Sequence, residues 1–376
     1  MDMLIRRLYQ IKMVLVLGSF RVCTFLCRNR PWVLHERGTD ARDNAYFFYR
    51  YLKENHPEKK IYYVIDRNSS DYQKVKEDAV DFGSLKNYWA IATAEKIIST
   101  HCNKGLPHMN PKLFRLFKLN QRFYFLQHGI TKDNVPMLHF DQTGVRFFAC
   151  GAKPEYDYIC NEFGYPPGVV RYTGFARYDT LQGVKTKRQI LIMPTWRMYI
   201  KDEKEFLESE YYRQWNEILN HRLLAEFLEK NDLTAVFYPH YEVQKYLHWF
   251  ETATERMILA DFESYDVQTL LKESKLLVTD YSSVFFDFAY MRKPVVYFQF
   301  DQETFFSQHY HRGYFSYPDM GFGPVTGNAQ DTVRAIVNSA ASGFEPADEY
   351  LKRMGSFFPL WDQKNCERIY HAICTL

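Results

Sequence analysis

The sequence predicts an α/β protein of two domains, each a parallel sheet covered by helices on both faces. Three observations predict it. The chain has 376 residues, too many for one ordinary core and about right for two. Short β-rich runs alternate with helix-patterned stretches, the order that parallel sheets require. The alternation stops in the polar stretch 173–188 (TGFARYDTLQGVKTKR) and then starts again, which places the inter-domain connection there.

Composition supports a folded chain. It is 46% hydrophobic and 25% charged, as globular proteins are, with no low-complexity tract. The 31 Phe and 29 Tyr are read chiefly as bulky core, with ring stacking on a sugar or base as the lesser alternative. Cys23, Cys27, Cys102, Cys150, Cys160, Cys366 and Cys374 are odd in number and form no C-x-x-C pair. Neither a disulfide framework nor a zinc site is indicated, and a reducing compartment fits.

Residues 1–30 stand apart. Arg6, Arg7, Lys12, Arg21, Arg28 and Arg30 face Asp2 alone, so this segment carries +5 of a total of +3 and the remainder is −2. The apolar run 13–20 ends at Arg21, far short of the roughly 20 residues that cross a bilayer, and no small-residue cleavage site follows. A basic amphipathic helix is expected, resting with Leu4, Ile5, Leu8, Ile11, Val14, Leu15 and Phe20 either on an anionic membrane surface or on the protein body.

In the first series, strands are expected at 61–66 (IYYVID), 96–100 (KIIST) and 122–126 (RFYFL), with helices at 43–53 and 85–94 between them. The second series runs through strands at 189–193 (QILIM), 234–238 (TAVFY), 276–279 (LLVT) and 295–298 (VVYF), with one long helix over about 203–230. The expected division is 1–30 as the basic segment, with 31–180 and 181–345 as two Rossmann-like domains. Helices over 346–376 are expected to pack back toward the first domain.

Ligands of open parallel sheets sit beyond the carboxyl ends of the strands. Four polar clusters fall there: Gln127-His128-Gly129, Pro194-Thr195-Trp196-Arg197, Pro239-His240 and Asp280-Tyr281-Ser282-Ser283. An imidazole beside a turn glycine can accept a hydroxyl proton near neutral pH, so His128 is the candidate base and Gly129 its turn support. A histidine bonded into the turn is the alternative. His240 occupies the equivalent place in the second half, where it is expected to steady phosphate charge. Ser282 or Ser283 reads as a helix N-cap with free backbone N–H groups behind it, suited to a diphosphate. Arg197 offers a fork matched to phosphate, or else a salt bridge.

Other chemistries lack their motifs. There is no G-x-x-x-x-G-K-[ST], no G-x-G-x-x-G after a strand, no Asp-x-Asp and no G-x-S-x-G, so no P-loop, metal-dependent sugar-nucleotide or serine-hydrolase site is supported. No metal and no further cofactor is expected. The slightly acidic body also argues against nucleic acid.

Taken together, the segments HGI, PTWR and DYSSVFFD resemble those of the CDP-glycerol glycerophosphotransferase family, the teichoic-acid primases and polymerases. Glu36-Arg37-Gly38 followed by Asp43-Asn44, and Lys293-Pro294 followed by Asp301, extend the resemblance over most of the chain. The segment 280–287 is the most specific part. The turn departs from the family's usual W-H-G-T, reading Gln127-His128-Gly129-Ile130.

The resemblance implies a GT-B arrangement of two facing Rossmann-type domains, 31–180 as the acceptor domain and 181–345 as the donor-nucleotide domain, and an enzyme that moves a polyol phosphate from a CDP-linked donor onto a glycan or lipid-linked acceptor. The setting is teichoic acid or capsular polysaccharide synthesis at the cytoplasmic face of the membrane. It implies His128 as base, His240 as second active-site histidine, and Arg197, Thr195, Ser282, Ser283, Asp280 and Asp287 on the donor. A GT-B glycosyltransferase using a nucleotide sugar, or a non-catalytic polysaccharide-assembly partner, are the alternatives.

Overall fold

The strands of the first sheet are short apolar runs with few polar interruptions. β1 (Trp32–His35), β2 (Ile61–Ile65), β3 (Ala79–Asp81), β4 (Lys96–Ser99), β5 (Phe123–Phe125), β6 (Phe147–Cys150) and β7 (Val170–Tyr172) lie in the order β3-β2-β1-β4-β5-β6-β7. Every registered pair is parallel. β1, β4, β5 and β6 are buried along their whole length, which is why they read as continuous apolar runs without alternation.

The second sheet repeats the plan. β8 (Gln189–Ile192), β9 (Thr234–Phe237), β10 (Met257–Leu259), β11 (Leu276–Thr279), β12 (Val295–Phe298) and β13 (Val325–Thr326) lie in the order β10-β9-β8-β11-β12-β13, all parallel. In each sheet the first strand is central, and the chain winds to one side before crossing to the other. The switch points therefore fall between β1 and β4 and between β8 and β11, where neighbouring loops part and leave room for a ligand.

This is a computed structural model, and it describes residues 11, 13–20, 29–102, 105–108, 111–308 and 311–376. It divides into one unit of Met1–Ile130, Pro136–Thr180 and Leu360–Leu376 and another of Thr131–Val135 and Leu181–Pro359. The expected basic helix lies mostly outside the described residues. Within 13–20 the backbone is helical, with Met13 and Leu17 buried in the first unit's core and Leu15 exposed.

Helices α1 (Asn44–Asn55), α2 (Leu85–Thr93) and α3 (Lys153–Glu162) belong to the first unit. Glu36 accepts hydrogen bonds from the backbone N–H groups of Arg42, Asp43 and Tyr46, satisfying donors that the start of α1 leaves without helical partners. Ser84 caps α2 through the Asn87 N–H.

In the second unit the expected long helix is three: α4 (Glu203–Glu208), α5 (Glu210–Leu219) and α6 (Arg222–Lys230). The breaks have a local cause. Ser209 accepts from the Tyr212 N–H and so starts a new helix, and the chain leaves helical geometry again at Asn220 and His221. α5 buries Tyr211, Trp215, Ile218 and Leu219 on one face, and Trp215→Ala there would cost about 3–5 kcal/mol.

The C-terminal expectation is corrected in part. The helix α10 (Asp348–Phe357), like α7 (Val267–Glu273), α8 (Phe285–Tyr290) and α9 (Ala329–Ala341), belongs to the second unit. Only α11 (Asn365–Cys374) returns, burying Cys366, Ile369 and Ile373 in the same cluster as Phe48 and Leu52 of α1. Asp179 receives the Asn365 and Cys366 N–H groups and anchors its start.

Candidate functional site

In the first unit the loops after β4 and β5 bring imidazoles together. His128 follows β5 at the end of a turn whose left-handed residue is Gln127 (φ 57°) and not Gly129. Glutamine tolerates this strained backbone here because its side chain is locked: Nε2 donates to the Ala149 carbonyl at 2.6 Å and to Glu155 at 3.0 Å. The turn support assigned to Gly129 therefore passes to Gln127.

His128 Nδ1 lies 3.4 Å from the Thr100 carbonyl. A carbonyl only accepts, so Nδ1 carries the hydrogen and Nε2 keeps its lone pair. The residue is exposed. Its pKa is lowered, first by the protein packed around it, against which Asp43 and the Thr100 carbonyl act to raise it and Arg177 and Arg37 to lower it further. The result is a neutral imidazole with an open basic nitrogen, the form a general base needs.

Asn44 builds the surroundings. Fully buried at the start of α1, it donates to the Gln127 carbonyl at 2.8 Å and accepts from the Arg177 N–H at 3.1 Å. Arg177 also pairs with Asp43 at 2.9 Å. One buried amide thus ties the backbone just before His128 to the loop that carries Arg177.

Sequence reasoning missed His101. It follows β4, at the same height on the adjacent strand, and stacks on His128 with ring centroids 4.6 Å apart and planes within 9°. Its position in the turn after KIIST, just beyond a strand end, is the signal that the other clusters share.

In the second unit, Thr195, Trp196 and Arg197 follow β8, His240 follows β9, and 280–283 follow β11. The structure corrects two assignments. Arg197 and Asp280 do not face a ligand: their side chains have no exposed surface. Arg197 donates to Asp301 through Nε at 2.7 Å and Nη2 at 3.1 Å, to the Thr195 carbonyl through Nη1 at 2.7 Å, and lies 2.9 Å from Asp280. Burial works against this charge while Asp280 and Asp301 hold it firmly protonated. Tyr211, Tyr281 and Phe305 pack against the guanidinium.

Asp280 in turn accepts from the backbone N–H groups of Thr195 at 2.8 Å and Tyr281 at 2.6 Å. The polar letters of PTWR and DYSS are therefore largely a brace that fixes the loops after β8, β11 and β12. What remains for a ligand is smaller. The buried Thr195 hydroxyl has no hydrogen-bond partner among the described residues.

The serines are also placed differently from expectation. The N-cap of α8 is Val284, with no side-chain cap bond, and the carbonyls of Ser282 and Ser283 receive the first N–H groups. Both serines are half-buried, whereas Asp287 is buried within α8.

His240 takes the opposite tautomer to His128. Its Nδ1 accepts from the Glu242 N–H at 3.3 Å, which places the hydrogen on Nε2. Trp196 stacks on it with centroids 5.8 Å apart. Beside this pair a cavity of about 250 Å³ opens, lined by Trp196, Lys201, Tyr211, Lys245 and Tyr246 among others.

A family profile described as CDP-Glycerol:Poly(glycerophosphate) glycerophosphotransferase matches residues 18–158 and 173–375. The minor teichoic acid biosynthesis protein GgaB of Bacillus subtilis is 33% identical over 372 residues, covering 94% of this chain and 41% of that protein. The teichoic acid poly(glycerol phosphate) polymerase of the same organism is 26% identical, over 88% of this chain and 46% of its own length. The chain thus spans less than half of each of these two relatives. Among solved structures, the wall teichoic acid polymerase TagF superposes with a TM-score of 0.70 at 16% identity, covering 100% of this chain and 98% of that one, a likeness of fold.

Proposed function

The chain belongs to the CDP-glycerol:poly(glycerophosphate) glycerophosphotransferase family, and on that premise we propose that it transfers a polyol phosphate from a CDP-linked donor to an acceptor hydroxyl. Glycerol phosphate is the unit we propose, a glycan or lipid-linked precursor of teichoic acid or capsular polysaccharide the acceptor.

The observation that carries this reading is the pair of opposite tautomers. His128, with its hydrogen held by the Thr100 carbonyl, presents Nε2 to take the acceptor's proton. The acceptor oxygen bonds to the β-phosphorus, the bond from that phosphorus to the bridging oxygen breaks, and CMP leaves with the electron pair. His240, with Nε2 carrying hydrogen, and the hydroxyls of Thr195, Ser282 and Ser283 are the groups we assign to donor phosphate. Such transfers depend mostly on position and on donors already aimed at the developing charge.

We assign charge neutralisation to these protein groups, without a metal ion. We place the protein at the cytoplasmic face of the membrane as a peripheral protein. No helix of the described residues is long and apolar enough to cross a bilayer, and the basic segment 1–30 with exposed Ile11, Val14 and Leu15 supports surface attachment.

The test is a donor panel. Purified protein with lipid-linked acceptors is offered CDP-glycerol, CDP-ribitol and UDP-sugars, and released nucleotide is measured. Release of CMP from a CDP-polyol supports the reading; release of UDP alone replaces it with sugar transfer, and no release with any donor favours a binding role.

A further inference from the structure

The loop after β4 holds a second imidazole whose geometry the transfer reading does not use. Thr100 bonds to both rings: its carbonyl receives His128 Nδ1 and its hydroxyl lies 2.9 Å from His101 Nδ1. The His101 backbone is fixed in turn by Ser99, whose hydroxyl accepts from the His101 N–H and donates to its carbonyl, both at 3.0 Å. Below it, Ser99 Oγ lies 3.1 Å from Nδ1 of the buried His35. A continuous line of bonds therefore sets His101 parallel to His128 at 4.6 Å.

We propose that His101 is a positioning residue for His128, holding its ring plane by stacking and competing with it for a single proton. This rests on the reading of His128 as the base. Two imidazolium rings face to face repel each other, so once one is protonated the other resists protonation. Charged groups facing His128 among the described residues include Asp43 at the start of α1, Arg37 in the loop after β1, and Arg177 in the loop after β7. Asp43 is already paired with Arg177, which limits how far it favours a second proton. His101 thereby keeps His128 a neutral acceptor into mildly acidic conditions.

His101→Phe retains a flat ring that cannot titrate, and His101→Ala removes the ring. Full-length protein with isotope-labelled histidine is titrated by NMR, and kcat/KM for CMP release is followed against pH. The wild type is expected to show His101 and His128 titrating as a coupled pair. In His101→Phe, His128 titrates in one step, with the acid limb of kcat/KM moved upward by about 0.5–1 unit. His101→Ala is expected to lower kcat about tenfold at alkaline pH with donor KM unchanged, and His101→Phe to lose less. Independent titrations in the wild type, with both variants overlaying its pH profile, overturn the proposal. The titration needs no substrate, so absence of turnover in the wild type counts against the transfer reading alone.

Discussion

Arg197 and Asp301 meet through two parallel hydrogen bonds, Nε to Oδ2 at 2.7 Å and Nη2 to Oδ1 at 3.1 Å, with neither side chain more than 5% exposed. The same guanidinium reaches Asp280, whose other oxygen holds the Thr195 and Tyr281 N–H groups. Three strand-end loops thus depend on one buried cation.

Arg197→Lys keeps the charge but not the fork, and leaves two buried carboxylates poorly paired. We expect a stability loss of about 3–5 kcal/mol, read as a lower denaturation midpoint with an unchanged slope. If the variant keeps wild-type stability and only the donor KM rises, Arg197 is a phosphate ligand after all and the bracing role is wrong.

His128→Ala is expected to lower CMP release by about 10²–10⁴-fold, with CMP or CDP-glycerol affinity within a few-fold of wild type by calorimetry. Equal losses in binding and turnover would instead mark His128 as a substrate ligand.

Gln127 anchors the backbone just before His128. Gln127→Ala keeps the positive φ, loses both anchoring bonds and leaves the buried Glu155 short of a partner, at an expected cost of about 1–3 kcal/mol. The kinetic signature is a fall in kcat without a change in donor KM. A variant with wild-type stability and rate would show that the anchor does not matter.

His35 makes stability pH-dependent. Burial lowers its pKa from 6.5 to about 4, against which its bond with the Glu36 carbonyl acts. A lowered pKa means the folded state binds this proton less well than the unfolded chain. Its contribution is therefore present above about pH 6.5 and lost as pH falls toward 4, by up to about 3 kcal/mol. Denaturation midpoints across that window should fall in the wild type and flatten in His35→Gln; parallel slopes would remove His35 as the cause.

Chelators are expected to leave turnover unchanged, since the charge on the donor is assigned to protein groups. Loss of activity in EDTA, restored by one divalent cation, would show a metal in the reaction.

Much of the fold was legible because buried parallel strands leave apolar runs: LLVT and VVYF coincide with β11 and β12 to the residue. β1 (WVLH) was missed because three apolar letters and a histidine beside a basic segment look like no element in particular. The helix over 203–230 was read as one because its apolar spacing continues through Ser209, whose capping bond is visible only in space. The site was legible as strand-end clusters, yet not which letters face a ligand. Arg197 pairs with a carboxylate 104 residues away, and nothing local distinguishes a braced arginine from a phosphate-binding one. His128 was found through its turn, but the residue bearing that turn's strain is Gln127, since its side-chain anchors lie on β6 and α3.

The most direct measurement is the stoichiometry of transfer from CDP-glycerol labelled in the glycerol, with a lipid-linked acceptor, in wild type and His128→Ala. One CMP is expected to be released for each labelled glycerol phosphate found on the acceptor in the wild type, and neither in the variant at comparable donor binding. Label that stays with the nucleotide in the wild type, or transfer that survives in His128→Ala at the wild-type rate, would contradict it.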